Sequence, residues 1–155
     1  MSPRVKGKKE IASNRKAFHD YFILDRYEAG IELKGTEVKS IRAGKLNMKD
    51  SFCTVKNGEL ILHAMHISPY EQGNRYNVDP MRHRRLLMHK REILKLHQSV
   101  QQDGSALIPL SLYFKDGRVK VEVGLCKGKK LYDKRETEAA RQAKRDIDRA
   151  LKNYN

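Results

Sequence analysis

Apolar residues in this chain recur at two spacings, and the two spacings divide it into strands and helices. Val119, Val121 and Val123 alternate with Arg118, Lys120 and Glu122, which makes a strand with one apolar and one charged face. Ala106–Phe114 is its partner across Asp116-Gly117, a pair that suits a tight hairpin turn. Phe52–Val55 and Leu60–Ile67 repeat the arrangement around Asn57-Gly58, whose tolerance of positive φ fits a type I′ turn. Phe18–Leu24 mixes aromatic and β-branched residues and predicts another strand, broken at Gly30. Helical spacing shows in Val38 and Ile41, between the capping pair Gly35-Thr36 and a stop at Gly44, which predicts a helix over Thr36–Ala43. Asp79-Pro80 reads as the cap and first position of a second helix. Ile93, Leu96 and Val100 carry that helix on along one buried stripe to Asp103-Gly104. Short strands interrupted by two helices predict a mainly β fold, an OB-like closed antiparallel β-barrel with flanking helices. A ferredoxin-like sandwich is the alternative.

The pattern changes after Lys127. Gly128-Lys129-Lys130 reads as a flexible basic joint, and Ala140, Ala143, Ile147, Ala150 and Tyr154 form a thin helical stripe beyond it. Arg141, Arg145 and Arg149 stack on another face, where like charges one turn apart weaken an isolated helix. Alanines bury little area, so this tail is expected to be loose when free and helical when bound. The expected division is a flexible basic arm over 1–13, a barrel over 14–127 and a basic tail over 128–155.

Charge sharpens the picture. The 155 residues hold 33 Lys and Arg against 19 Asp and Glu, a net charge of +14. The excess sits in three segments: 1–16, 82–95 and 127–155, around a nearly neutral body. Such segments suit a polyanion, because each neutralised phosphate releases counterions. A membrane surface would call for basic helices with bulky apolar anchors, which these lack. Mean hydropathy is −0.76, and no apolar run is long enough to cross a bilayer. Neither a secretory leader nor a disulfide framework is visible, so a cytoplasmic protein is expected.

No catalytic pattern emerges. His63 and His66 are three apart, a spacing that sends strand side chains to opposite faces, so no metal site is expected. Phosphate-cradling glycine loops and nucleophile elbows are absent from the sequence. Cys53 and Cys126 read as small core residues. A nuclease built on His19, Asp20 and Glu28 is the catalytic alternative, and an initiation-type or ribosomal RNA-binding protein is the non-catalytic one. Rings at His19, Tyr21, Tyr27, Tyr70, Tyr76 and Tyr132 could stack on unpaired bases. Phe22 and Phe114 read as core, while Tyr132, set among lysines, reads as a contact.

Five stretches in register resemble a known family. They are NRKAFHDY at Asn14–Tyr21, EAGIELKGTEVKSIRAGK at Glu28–Lys45, HISPY at His66–Tyr70, DPMRHRRLLMHKREI at Asp79–Ile93 and GKKLYDKRE at Gly128–Glu136. Together they resemble small protein B, the SsrA-binding proteins of bacterial trans-translation. The resemblance implies an OB-like barrel that binds transfer-messenger RNA at its tRNA-like domain and accompanies it to stalled ribosomes. It implies that the basic tail occupies the empty mRNA channel and decoding region in place of codon–anticodon pairing. It also implies that the protein acts without a cofactor, catalyses nothing, is a monomer when free and works in the cytoplasm. The RNA-facing positions carried over are Asn14, His19, Glu28, Leu87 and Lys120. The ribosome-facing positions are Gly128, Lys129, Lys130, Tyr132, Asp133, Lys134 and Arg135.

Overall fold

The computed structural model describes residues 8–71 and 77–129, together with 142, 145, 146 and 149. Its elements in chain order are β1 (Lys8–Ser13), α1 (Arg15–Asp20), β2 (Tyr21–Ile31), α2 (Gly35–Arg42), β3 (Leu46–Asn47) and β4 (Phe52–Lys56). There follow β5 (Glu59–His63), β6 (His66–Ile67), β7 (Arg84–Leu87), α3 (Lys90–Asp103), β8 (Ala106–Lys115) and β9 (Arg118–Gly128). Seven strands form one antiparallel sheet in the order β1-β8-β4-β5-β7-β2-β9, and a further pairing of β8 with β9 closes six of them into a ring. β1 lies outside that ring, on β8, and β3 pairs with β6 in a small separate sheet. The fold is therefore mainly β, closed and antiparallel, with helices at its flanks.

Both hairpin turns use the expected chemistry. Asn57 and Gly58 take φ of 54° and 75°, and Asp116 and Gly117 take 52° and 75°, the left-handed pairs of a type I′ turn. Side chains alternate about the ring as the valine pattern requires. Val119, Val121 and Val123 point inward and join Leu60, Leu62, Leu86 and Leu112, all buried. α3 lays Ile93 and Leu96 onto this core and ends at Gly104, whose φ of 67° makes the left-handed cap.

Three sequence readings need correction. Phe18–Asp20 are helical, not strand, and the strand that begins at Tyr21 runs through Gly30 to Ile31. The cause lies far away in sequence. Asn14 caps α1 by accepting from the Ala17 amide at 3.2 Å, while its own amide nitrogen donates to the Pro109 carbonyl at 2.9 Å. Asp79-Pro80 begins a turn, in which Asp79 accepts from the Met81 amide, and Arg84–Leu87 then pair as a strand before helix starts at Lys90. At the N-terminus, Lys8–Ser13 are a paired strand on β8 and not free arm.

A buried ion pair fastens the long connection between β6 and β7. Arg84 is fully buried, and its Nε donates to Glu37 Oε2 at 2.6 Å. Its other nitrogens donate to the carbonyls of Met65 (2.7 Å) and Pro80 (3.1 Å), and Arg82 donates to the second Glu37 oxygen. Burial alone would raise the Glu37 pKa, but the hydrogen bonds from Arg82, the Lys34 amide and Arg84 hold it below the usual carboxylate range.

Candidate nucleic-acid interface

Strand register brings three of the expected RNA-facing residues onto one outer surface. Gly30 on β2 lies opposite Leu87 on β7 and opposite Lys120 on β9, and Lys120 lies opposite Tyr113 on β8. Directly opposed residues share a face, and Glu28, two residues before Gly30, shares it too. Leu87 is 46% exposed there. Lys120 has no ion-pair partner among the described residues.

Glu28 is held in a fixed setting. Tyr113, only 1% exposed, donates its hydroxyl to Glu28 Oε2 at 2.6 Å, and Lys115 Nζ lies 3.3 Å from both carboxylate oxygens. The Tyr113 hydrogen bond, then Lys115 and the nearby Lys120 charge, keep the Glu28 carboxyl below its ordinary pKa despite partial burial. Burial and the neighbouring carboxylate push the Tyr113 phenol well above its own. Lys8 lies 3.9 Å over the Tyr113 ring, so β1 roofs this tyrosine. Glu28 also faces Glu122 across the strands, a like-charge pair that each side offsets with its own cations. Those cations are Lys115 for Glu28, and Arg26 (3.0 Å) and Lys8 (3.6 Å) for Glu122.

Of the remaining carried-over positions, Asn14, His19, Gly128 and Lys129 lie towards the far end of β2 and β9, where Tyr21 lies opposite Gly128. His19 is 88% exposed and its Nδ1 is 2.9 Å from Asp20 Oδ1. Asn14 is buried, with both ends of its amide occupied inside the protein. Lys129 donates to the Phe18 carbonyl at 3.4 Å and lies 5.3 Å over the Phe22 ring. Phe22 is thus 39% exposed and not core, because β2 turns it outward, while Phe114 packs on the core as read. Phe18, also exposed, lies under the Arg26 guanidinium at 5.5 Å. Nothing in the sequence marks these two rings as a cation-covered pair, since α1 itself was not visible. Lys130, Tyr132, Asp133, Lys134 and Arg135 lie outside the described residues, as does Tyr76, while Gly128, read as part of a flexible joint, is the paired last residue of β9. Of the tail, Gln142, Arg145, Asp146 and Arg149 are helical, and Gln142 donates to Asp146 at 3.0 Å.

The basic segment 82–95 is not the uniform patch its composition suggests. Arg82 and Arg84 share the single Glu37 carboxylate, and Arg85 pairs with Glu32 and with Glu59 (3.1 Å). Only Lys90, Arg91 and Lys95, along α3, remain without an ion pair among the described residues.

The nuclease arrangement is not assembled. Glu28 follows Asp20 by eight residues, seven of them steps of extended strand, which separates the two by about 20 Å. Two carboxylates so far apart cannot share a metal ion. His63 stacks on Phe52 with centroids 4.9 Å apart and meets His83 edge-on at 4.3 Å. Cys53 and Cys126 are buried free thiols, and burial pushes the Cys126 thiol up to about 11, so neither is a ready nucleophile. No helix among the described residues is long and apolar enough to cross a membrane.

Residues 11–153 match the model of the SmpB protein family. The SsrA-binding protein of Carboxydothermus hydrogenoformans is 62% identical over 144 residues, spanning 93% of this chain and 97% of its own. That of Acetivibrio thermocellus is 62% identical over 145 residues, spanning 94% of each chain. A solved structure described as "tmRNA-SmpB: a journey to the center of the bacterial ribosome" contains a similar chain, 52% identical with a TM-score of 0.66. The match covers 77% of this chain and 85% of that one.

Proposed function

The chain belongs to the SmpB protein family, and from that premise we propose how its surfaces divide the work of trans-translation. It binds transfer-messenger RNA, the SsrA RNA, and acts with it on the ribosome. The tRNA-like domain of that RNA docks on the outer face of β7, β2 and β9. Lys120 meets a phosphate, Leu87 makes an apolar contact, and Glu28 accepts from a base edge or orients a neighbouring cation. His19 stacks on or bonds to exposed loop nucleotides, the part of an RNA that proteins read most readily. Asn14 serves by holding α1, and with it His19, in place. On the ribosome, Gly128, Lys129, Lys130, Tyr132, Asp133, Lys134 and Arg135 meet the empty mRNA channel and the decoding region. The protein supplies surface and charge, and the reaction belongs to the ribosome. In this reading it works in the cytoplasm, as a monomer when free, with 14–127 as the RNA-binding unit.

The observation that carries this reading is the convergence of Glu28, Leu87 and Lys120 on one face, from strands far apart in sequence. A chain ending before Gly128 tests the division. It keeps its affinity for transfer-messenger RNA at physiological salt against excess tRNA, and it loses tagging of stalled chains. Loss of RNA binding with the tail would show that the ring is not the docking surface.

A further inference from the structure

Tyr113 stands on the outer side of β8. Its neighbour Leu112 points into the core, so alternation along the strand turns Tyr113 the other way, and its partner across β9 is the outward Lys120. It is nevertheless only 1% exposed, although it joins neither of the apolar clusters inside the protein. Charged side chains cover it instead. Lys8 of β1 lies over its ring, and the Glu28 carboxylate of β2 meets its hydroxyl at 2.6 Å. β9 runs between β2 and β8, so this hydrogen bond bridges a whole strand. Packing explains the ring but not the hydroxyl. A phenylalanine would fill the same space, and a buried hydroxyl costs stability unless it finds a partner. The partner it has is the one carboxylate among the positions expected to meet RNA.

We infer that Tyr113 is a positioning residue for RNA recognition: its hydroxyl holds the Glu28 carboxylate in one orientation, ready to accept a hydrogen bond from the RNA. The inference rests on the reading of Glu28 as an RNA contact and assigns what makes that contact effective. A free glutamate loses side-chain rotamers when it binds, and Glu28 has given them up beforehand. Tyr113 takes one lone pair of Oε2, and Lys115 lies 3.3 Å from both oxygens. A carboxylate offers about four acceptor sites, so some stay open to a donor outside. Lys115 also offsets the charge that would repel nearby phosphates. The titratable and charged groups around the carboxylate are Tyr113 and Lys115 from β8, and Lys120 and the like-charged Glu122 from β9. Of these, the Tyr113 hydrogen bond does most to keep Glu28 ionised and so a pure acceptor. Burial and the same carboxylate keep the phenol protonated, as the donor of the pair.

Tyr113→Phe removes the hydroxyl and keeps the ring, so folding is retained. The full-length variant is compared with Glu28→Gln and with the double variant, thermal unfolding serving as the control. Binding to transfer-messenger RNA is measured at physiological salt against excess tRNA. Tyr113→Phe lowers affinity about tenfold, the scale of one lost hydrogen bond to a charged group. The double variant binds no more weakly than Glu28→Gln, because the hydroxyl acts only through the carboxylate. A second readout needs no RNA. The Glu28 carboxyl carbon, followed by NMR in the free protein, titrates at higher pH in Tyr113→Phe than in wild type. Losses that add in the double variant, or an unchanged Glu28 titration, would overturn the positioning role. So would wild-type binding by Tyr113→Phe beside a weakened Glu28→Gln, a result that leaves the RNA face standing. Wild-type binding by Glu28→Gln overturns instead the reading of Glu28 as an RNA contact, and the inference with it.

Discussion

Replacing Glu37 by Gln changes one oxygen for an NH2 group and removes one charge from the centre of the buried cluster. Glu37 is 3% exposed and Arg84 not exposed at all, so solvent cannot make up the loss. The variant keeps one carbonyl oxygen, enough to accept from the Lys34 amide as Glu37 does at 2.8 Å and so to cap α2. The new NH2 faces a guanidinium, donor against donor, and leaves Arg84 as an uncompensated buried cation. Breaking a buried pair in this way costs about 3–5 kcal/mol. At about 2–4 °C per kcal/mol for a chain of this size, the unfolding midpoint falls by about 6–20 °C. Urea unfolding followed by circular dichroism reads the cost directly, and an unchanged m-value confirms that the native state is intact. Replacing both partners, Glu37→Leu with Arg84→Met, removes the orphaned Arg84 charge and recovers part of the loss, the rest staying with the Lys34 amide, Arg82 and the Met65 and Pro80 carbonyls, which lose these partners. A cost below about 1 kcal/mol, the value of an exposed pair, would refute the argument. So would a double variant as unstable as the single one.

Two further outcomes follow from the same accounting of charge. Lys120→Ala lowers the slope of log affinity against log salt by about one unit or slightly less, whereas Arg85→Ala leaves it unchanged. Arg85 is already held by Glu32 and Glu59, and an equal effect from both variants would mean that RNA breaks those pairs. Stability declines with acid in two stages. Burial and His83 lower the His63 pKa from its ordinary 6.5, so its neutral form favours the fold above that pH, and the benefit fades as pH falls towards the lowered value. Glu37 is likewise below its ordinary 4.5, so its contribution is complete above pH 4.5 and is lost as pH falls through the folded value. Thermal unfolding across pH 3–7 checks both stages, and His63→Asn removes the first.

What was legible in the sequence was local. Asn57-Gly58 and Asp116-Gly117 announce their turns because few residues accept two consecutive positive φ values, and the alternating valines of β9 declare which face is buried. What failed was decided by distant partners. The helix at Arg15–Asp20 depends on a carbonyl 95 residues beyond its cap. The arginines of 82–95 looked like a phosphate site because their acids stand 26 to 53 positions away. The family resemblance supplied Glu28, Leu87 and Lys120 as separate positions, and only the register shows that they share a surface.

The closure of the ring has a consequence for how this protein comes into being. β9 seals both β2 and β8, joining Tyr21 to Gly128 and Gly30 to Lys120, about a hundred residues apart in sequence. During synthesis, β2 emerges early and must wait for a partner that appears only in the last quarter of the chain. A nascent chain cut short before Arg118 presents two long unpaired strand edges and an uncovered apolar face to its neighbours. For this fold, finishing translation is itself a folding step.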